Sequence, residues 1–138
     1  MGTDLRIGAI SMPHRSSVPM SWRLKKHRYS ITGSQCVCGK LHMPPRIVCD
    51  CGNDKLKHFT FSGRGEIISY TTVHIGPAGF ENTPYSIALI KLEEGPVISG
   101  IVIGDVLEIG KKVKSVFRRL HVDGEDGLIN YGFKFELI

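Results

Sequence analysis

Cysteine is absent from this 138-residue chain except between positions 36 and 51, and tryptophan occurs once, at Trp22. No apolar run approaches the roughly 18 residues that a membrane-spanning helix needs. The first residues lack the apolar stretch of a secretion signal, and Arg6 stands where a myristoylation motif wants Ser or Thr. The P-loop pattern is missing. Gly63-Arg64-Gly65 opens like a dinucleotide fingerprint, but Ile68 stands where its third glycine belongs. Nothing in the pattern suggests a nucleophile elbow or a Cys–His pair, and Glu93-Glu94 reads as a solvated turn. These absences set aside a membrane span, a secreted disulfide framework and the common nucleotide-binding loops. They leave a soluble cytoplasmic protein that is not an enzyme and whose role is binding or scaffolding.

What is present is concentrated. Cys36-Val37-Cys38-Gly39 and Cys49-Asp50-Cys51-Gly52 repeat one layout, each pair followed by a glycine. A glycine just past the second cysteine lets the backbone turn back with positive φ. Two such turns bring four thiolates around one tetrahedral ion, and a closed four-cysteine set is a structural Zn²⁺ site with no open coordination position for catalysis. The expected metal ligands are therefore Cys36, Cys38, Cys49 and Cys51. Disulfides are disfavoured in a chain that looks cytosolic. His42 lies between the pairs, where it could compete as a ligand, and is read instead as an exposed residue at the ribbon tip.

Charge is divided as unevenly as cysteine. Residues 1–57 hold ten Lys/Arg against three Asp/Glu, and residues 58–138 hold eight against ten. The basic half suits an acidic protein surface, nucleic acid or the phosphates of a cofactor. From Pro19 the pattern is helical, with Val18, Trp22 and Tyr29 on one stripe among Arg23, Lys25, Lys26 and Arg28, and Gly33 closes the segment. Pro44-Pro45-Arg46 breaks the cysteine ribbon, and Ile47-Val48 reads as a short strand. Beyond Phe59 the chain alternates in the β manner, giving strands over 65–75, 85–92, 97–103, 112–120 and 128–137. Asp123-Gly124 and Asp126-Gly127 mark the last loop. The expected fold is mainly β: an N-terminal arm and helix (1–33), a small zinc ribbon (34–57) and a five-stranded OB-fold barrel (58–138).

Particular residues carry a family likeness. They are Ser21-Trp22-Arg23, Tyr29, Gly33-Ser34-Gln35-Cys36, Cys38-Gly39-Lys40, Pro44-Pro45-Arg46 and the stretch from Cys49 to Gly52. Thr83-Pro84-Tyr85, Leu92-Glu93-Glu94-Gly95-Pro96, Phe117-Arg118-Arg119 and Asp126-Gly127 through Tyr131-Gly132-Phe133-Lys134-Phe135 continue it. The chain resembles the OB-fold, acyl-CoA-associated family with a rubredoxin-like zinc ribbon (domain of unknown function 35). Within it, the chain is most similar to the archaeal members that accompany acetoacetyl-CoA thiolase and HMG-CoA synthase. The family usually carries Cys-x-x-Cys knuckles, one residue longer than those here. The resemblance implies a non-catalytic subunit that holds thiolase and synthase, or another thiolase-like enzyme, together in the mevalonate pathway. It implies partner contacts at Trp22, Arg23 and Tyr29. It further implies CoA or acyl-CoA, shared with a partner enzyme, against Arg46, Arg118, Arg119 and the loop carrying Phe80. The competing reading is a zinc-ribbon and OB-fold module for nucleic acid. The net acidic barrel half, whose aromatics are not interleaved with a basic run, speaks against it.

Overall fold

The computed structural model describes residues 18–77, 82–122 and 128–138. The loop residue Phe80 and both Asp-Gly pairs of the last loop lie outside the described residues. Among the described residues one helix, α1 (Val18–Tyr29), precedes eight strands: β1 (Thr32–Gln35), β2 (Leu41–His42), β3 (Lys57–Thr60), β4 (Arg64–Val73), β5 (Tyr85–Leu92), β6 (Val97–Ile103), β7 (Lys112–Val122) and β8 (Ile129–Leu137). The fold is mainly β, as the alternating pattern implies.

Two sheets form. The first three strands make a small sheet in the order β2-β1-β3, with the cysteines in the turns beside it. The remaining five close into a barrel in the order β4-β5-β6-β8-β7, with β7 returning to pair with β4. All barrel pairings are antiparallel except β6 with β8. Closure leaves no free barrel edge to aggregate. The β5–β6 hairpin turns at Glu93-Glu94-Gly95-Pro96, with the Leu92 amide donating to the Pro96 carbonyl at 2.9 Å.

Period-two alternation builds the core. Along β5, Ala88, Ile90 and Leu92 point inward while Leu89 and Lys91 face out. They meet Ile67, Val102, Leu107, Val113 and Phe135 from the other strands and the β6–β7 connector. Burying a side chain such as Ile67 or Ile90 stabilises the fold by about 1.5–3 kcal/mol. Ile31 and Phe61 belong to the same cluster, and the Phe61 amide donates to the Ile31 carbonyl at 2.9 Å. The small sheet is thereby pinned to the barrel through a shared apolar junction.

Two local expectations are corrected. The helix stops at Tyr29, four residues before Gly33, which lies instead within β1. A side chain on Gly33 would collide with the His42 carbonyl oxygen and the Phe61 ring, so this glycine serves close packing between strands rather than helix termination. Residues 47–48 form a bend and no strand, because the two prolines before them direct the chain outward and leave Ile47 and Val48 exposed.

Candidate functional site

Each cysteine pair sits in a hydrogen-bonded turn, and the two turns are near copies. The Gly39 amide donates to the Cys36 carbonyl at 2.9 Å, and the Cys36 amide to the Lys40 carbonyl at 3.0 Å. In the second turn the Gly52 amide donates to the Cys49 carbonyl at 2.9 Å, and the Cys49 amide to the Asn53 carbonyl at 2.9 Å. Gly39 and Gly52 have φ of 87° and 83° with open space beside them, so backbone torsion alone demands glycine there. A single residue between the cysteines is enough in this geometry, because both sulfurs of each pair still join one four-sulfur cluster.

All four sulfurs lie within 4.8 Å of one another. Cys36 and Cys51 are 3.5 Å apart and Cys38 and Cys49 3.7 Å. A tetrahedral ion with metal–sulfur bonds of about 2.3 Å requires sulfurs roughly 3.8 Å apart, so the residues fit such an ion. They are free thiols rather than disulfides. The first cysteine of each pair is buried and the second exposed.

The thiols differ strongly. A hydrogen bond from the Cys38 amide pulls Cys36 down, but burial and its three thiol neighbours outweigh it and push Cys36 up to about 12. The Lys40 amide, helped by Cys36, brings Cys38 down to about 7. Cys49 is lowered by the Cys51 amide and then by His42. His42 is not the exposed tip residue expected from its position. It is 5% exposed, with Nε2 3.2 Å from the Cys49 sulfur. A two-residue strand carries no readable alternation, so no local pattern signals that burial. From within the second turn, Asp50 holds Lys40 and, at 2.9 Å, Arg46. The Lys40 ammonium keeps the Asp50 carboxyl below its ordinary range.

A second feature lies where helix α1 meets the barrel strands β7 and β8. Helix α1 buries no residue of its own. Its C-terminal turn rests on the β7–β8 ribbon: Arg28 donates to the Asn130 side-chain oxygen at 2.7 Å, and Tyr29 stacks on Phe117 at 5.1 Å. Phe117 stacks in turn on Tyr131 at 5.7 Å, making a three-ring column. Trp22 stays 68% exposed, with the Lys25 ammonium 4.8 Å from its ring centre. Trp22, Tyr29, Leu128, Ile129 and Tyr131 line a cavity of about 210 Å³, with Lys25 and Arg28 also in its lining. Arg23 is exposed on the same helix. The aromatic column was missed in the sequence because its rings come from three distant segments.

The residues tied to CoA by resemblance are not brought into one place by any described contact. Arg46 pairs with Asp50 in the ribbon, whereas Arg118 and Arg119 stand exposed on β7, Arg118 donating to the Phe117 carbonyl at 3.2 Å. Lys134, beside them on β8, is lowered by burial and by the Arg119 charge.

Comparison with known proteins gives a consistent set. Residues 60–118 match the family described as ChsH2, C-terminal OB-fold domain. A DUF35 domain-containing scaffold protein of Methanothermobacter thermautotrophicus is 41% identical over 123 residues, covering 84% of this chain and 92% of that protein. A DUF35 domain-containing scaffold protein of Methanocaldococcus jannaschii is also 41% identical, over 88% of this chain and 91% of its own length. Among solved structures, a chain of the Ltp2–ChsH2(DUF35) aldolase is similar with a TM-score of 0.61 and 26% identity, covering 89% of this chain and 94% of that one.

Proposed function

We propose, from the premise that this chain belongs to the DUF35 family of scaffold proteins, that it is a non-catalytic cytoplasmic subunit holding acetoacetyl-CoA thiolase and HMG-CoA synthase together. The observation that carries the reading is the unburied face of α1. A tryptophan that is 68% exposed, beside Tyr29 and a cavity on β8, is left uncovered among the described residues and is the residue type enriched at interface hot spots. The neighbouring structure, an aldolase in which a DUF35 chain stands with Ltp2, is a precedent for enzyme partnership within the fold.

The physical benefit is kinetic. Condensation of two acetyl-CoA molecules is uphill, and prompt consumption of the product draws it forward. Tethering raises the effective concentration of the second enzyme to about millimolar for a short link. In this reading Cys36, Cys38, Cys49 and Cys51 hold structural Zn²⁺, which stiffens the ribbon. Trp22, Arg23 and Tyr29 meet the partner. Arg118 and Arg119, with Lys134 beside them, offer cations to the phosphates of an acyl-CoA shared with the partner enzyme.

The test is to run thiolase and synthase with and without the chain and to follow free acetoacetyl-CoA. The expected result is a lower steady level with the chain present and no turnover by the chain alone. An unchanged level with no ternary complex contradicts the bridging role. A second reading, binding of single-stranded nucleic acid, is favoured by the Tyr29–Phe117–Tyr131 column next to Arg118 and Arg119. Salt-sensitive binding of an oligonucleotide by wild-type protein, lost on Phe117→Ala, would support it.

A further inference from the structure

His42 is a buried polar group that the four-cysteine site does not account for. Four thiolates on a divalent ion leave excess negative charge, and water reaches only part of it. Cys38 and Cys51 are exposed, whereas Cys36 and Cys49 are each 3% exposed. Both buried sulfurs receive a backbone amide, Cys36 from Cys38 and Cys49 from Cys51. Beyond the neighbouring thiols, Cys49 also faces a histidine, the His42 Nε2 at 3.2 Å.

We infer that His42, protonated on Nε2, donates to the Cys49 thiolate and keeps that sulfur on the metal from the inner side. It is a positioning residue and not a ligand, because it stands outside the mutually close set that the four sulfurs complete by themselves. Its own position is fixed by packing. Ser34 on β1 lies opposite His42 on β2, and its hydroxyl accepts the Arg46 amide at 3.0 Å, tying down the segment that follows. Gly33 leaves no room between the His42 carbonyl and the Phe61 ring, so the path from the apolar core to Cys49 is continuous. The exposed sulfurs of Cys38 and Cys51 are then where metal loss begins. Outer donors of this kind typically change metal affinity by about 10–100-fold when removed.

This inference rests on the zinc reading, and the experiment separates the two. Full-length protein, His42→Phe and His42→Gln are loaded with zinc and challenged with excess chromogenic chelator, and in parallel loaded with Co²⁺ for absorption spectra. The expected result is that His42→Phe holds zinc about 10–100-fold more weakly, with its sulfur-to-cobalt charge-transfer band moved to lower energy. His42→Gln, which keeps an N–H donor, should recover part of both. Wild-type retention and an unmoved band in a folded His42→Phe protein overturn the role of His42 and leave the zinc site standing. A wild-type cobalt spectrum with mixed nitrogen and sulfur ligation overturns it in favour of direct ligation. Absence of any thiolate-to-cobalt band in wild-type protein overturns the zinc reading itself.

Discussion

Trp22→Ala is the perturbation that bears most directly on the face of α1. The side chain is 68% exposed in the isolated chain, and a tryptophan buries up to about 250 Å², so a partner has about 170 Å² left to cover. At about 25 cal/mol per Å² that area is worth roughly 4 kcal/mol at most, and binding costs reduce the share that appears as affinity. A loss of about 2–4 kcal/mol is expected, which weakens the dissociation constant by about thirtyfold to several hundredfold. The isolated chain should lose little, because no residue of α1 is buried and the Lys25 contact over the ring is worth about 0.5–1 kcal/mol at an exposed site. The assay is titration calorimetry against the purified partner enzyme, with thermal melting of both proteins as control. Wild-type affinity in a normally folded Trp22→Ala protein refutes the reasoning.

Other expectations follow from the same contacts. Phe135→Ala removes a side chain with no exposure at the centre of the barrel and should destabilise it by about 3–5 kcal/mol in denaturant melts, whereas Ile103→Ala, on the outer face, should change little. Tyr29→Ala breaks the column at its first ring and should lose about 0.5–1.5 kcal/mol of helix docking, read as faster amide exchange in α1 with an unaltered barrel. In metal-stripped protein Cys38 ionises near pH 7 and Cys36 near 12, so alkylation of Cys38 should rise as pH passes upward through about 7 while Cys36 stays protected; equal rates at pH 8 would contradict this order. Elemental analysis should find one zinc per chain, and a chelator should remove it while the barrel remains folded.

Much of the barrel was legible because strands obey a period of two that survives without knowledge of partners. The spans 85–92 and 97–103 coincide with β5 and β6, and the turn between them announced itself through Gly95-Pro96. The four-cysteine cluster was legible for a different reason, since its spacing is local and each turn is closed by its own glycine. The ribbon interior was harder. Gly33 looked like a helix terminator because sequence shows a glycine without showing the His42 carbonyl and Phe61 ring that crowd it. His42 looked exposed because a strand of two residues gives no pattern to read. The Tyr29–Phe117–Tyr131 column depends on the barrel bringing together residues far apart in the chain, which no local window contains.

The scaffold role is tested most directly by purifying the tagged chain from its native cells at moderate salt, and weighing the resulting complex by light scattering. The account predicts acetoacetyl-CoA thiolase and HMG-CoA synthase in a fixed ratio with the chain, and their loss when Trp22→Ala is used as bait. Recovery of the chain by itself, or with nucleic acid and neither enzyme, would contradict it.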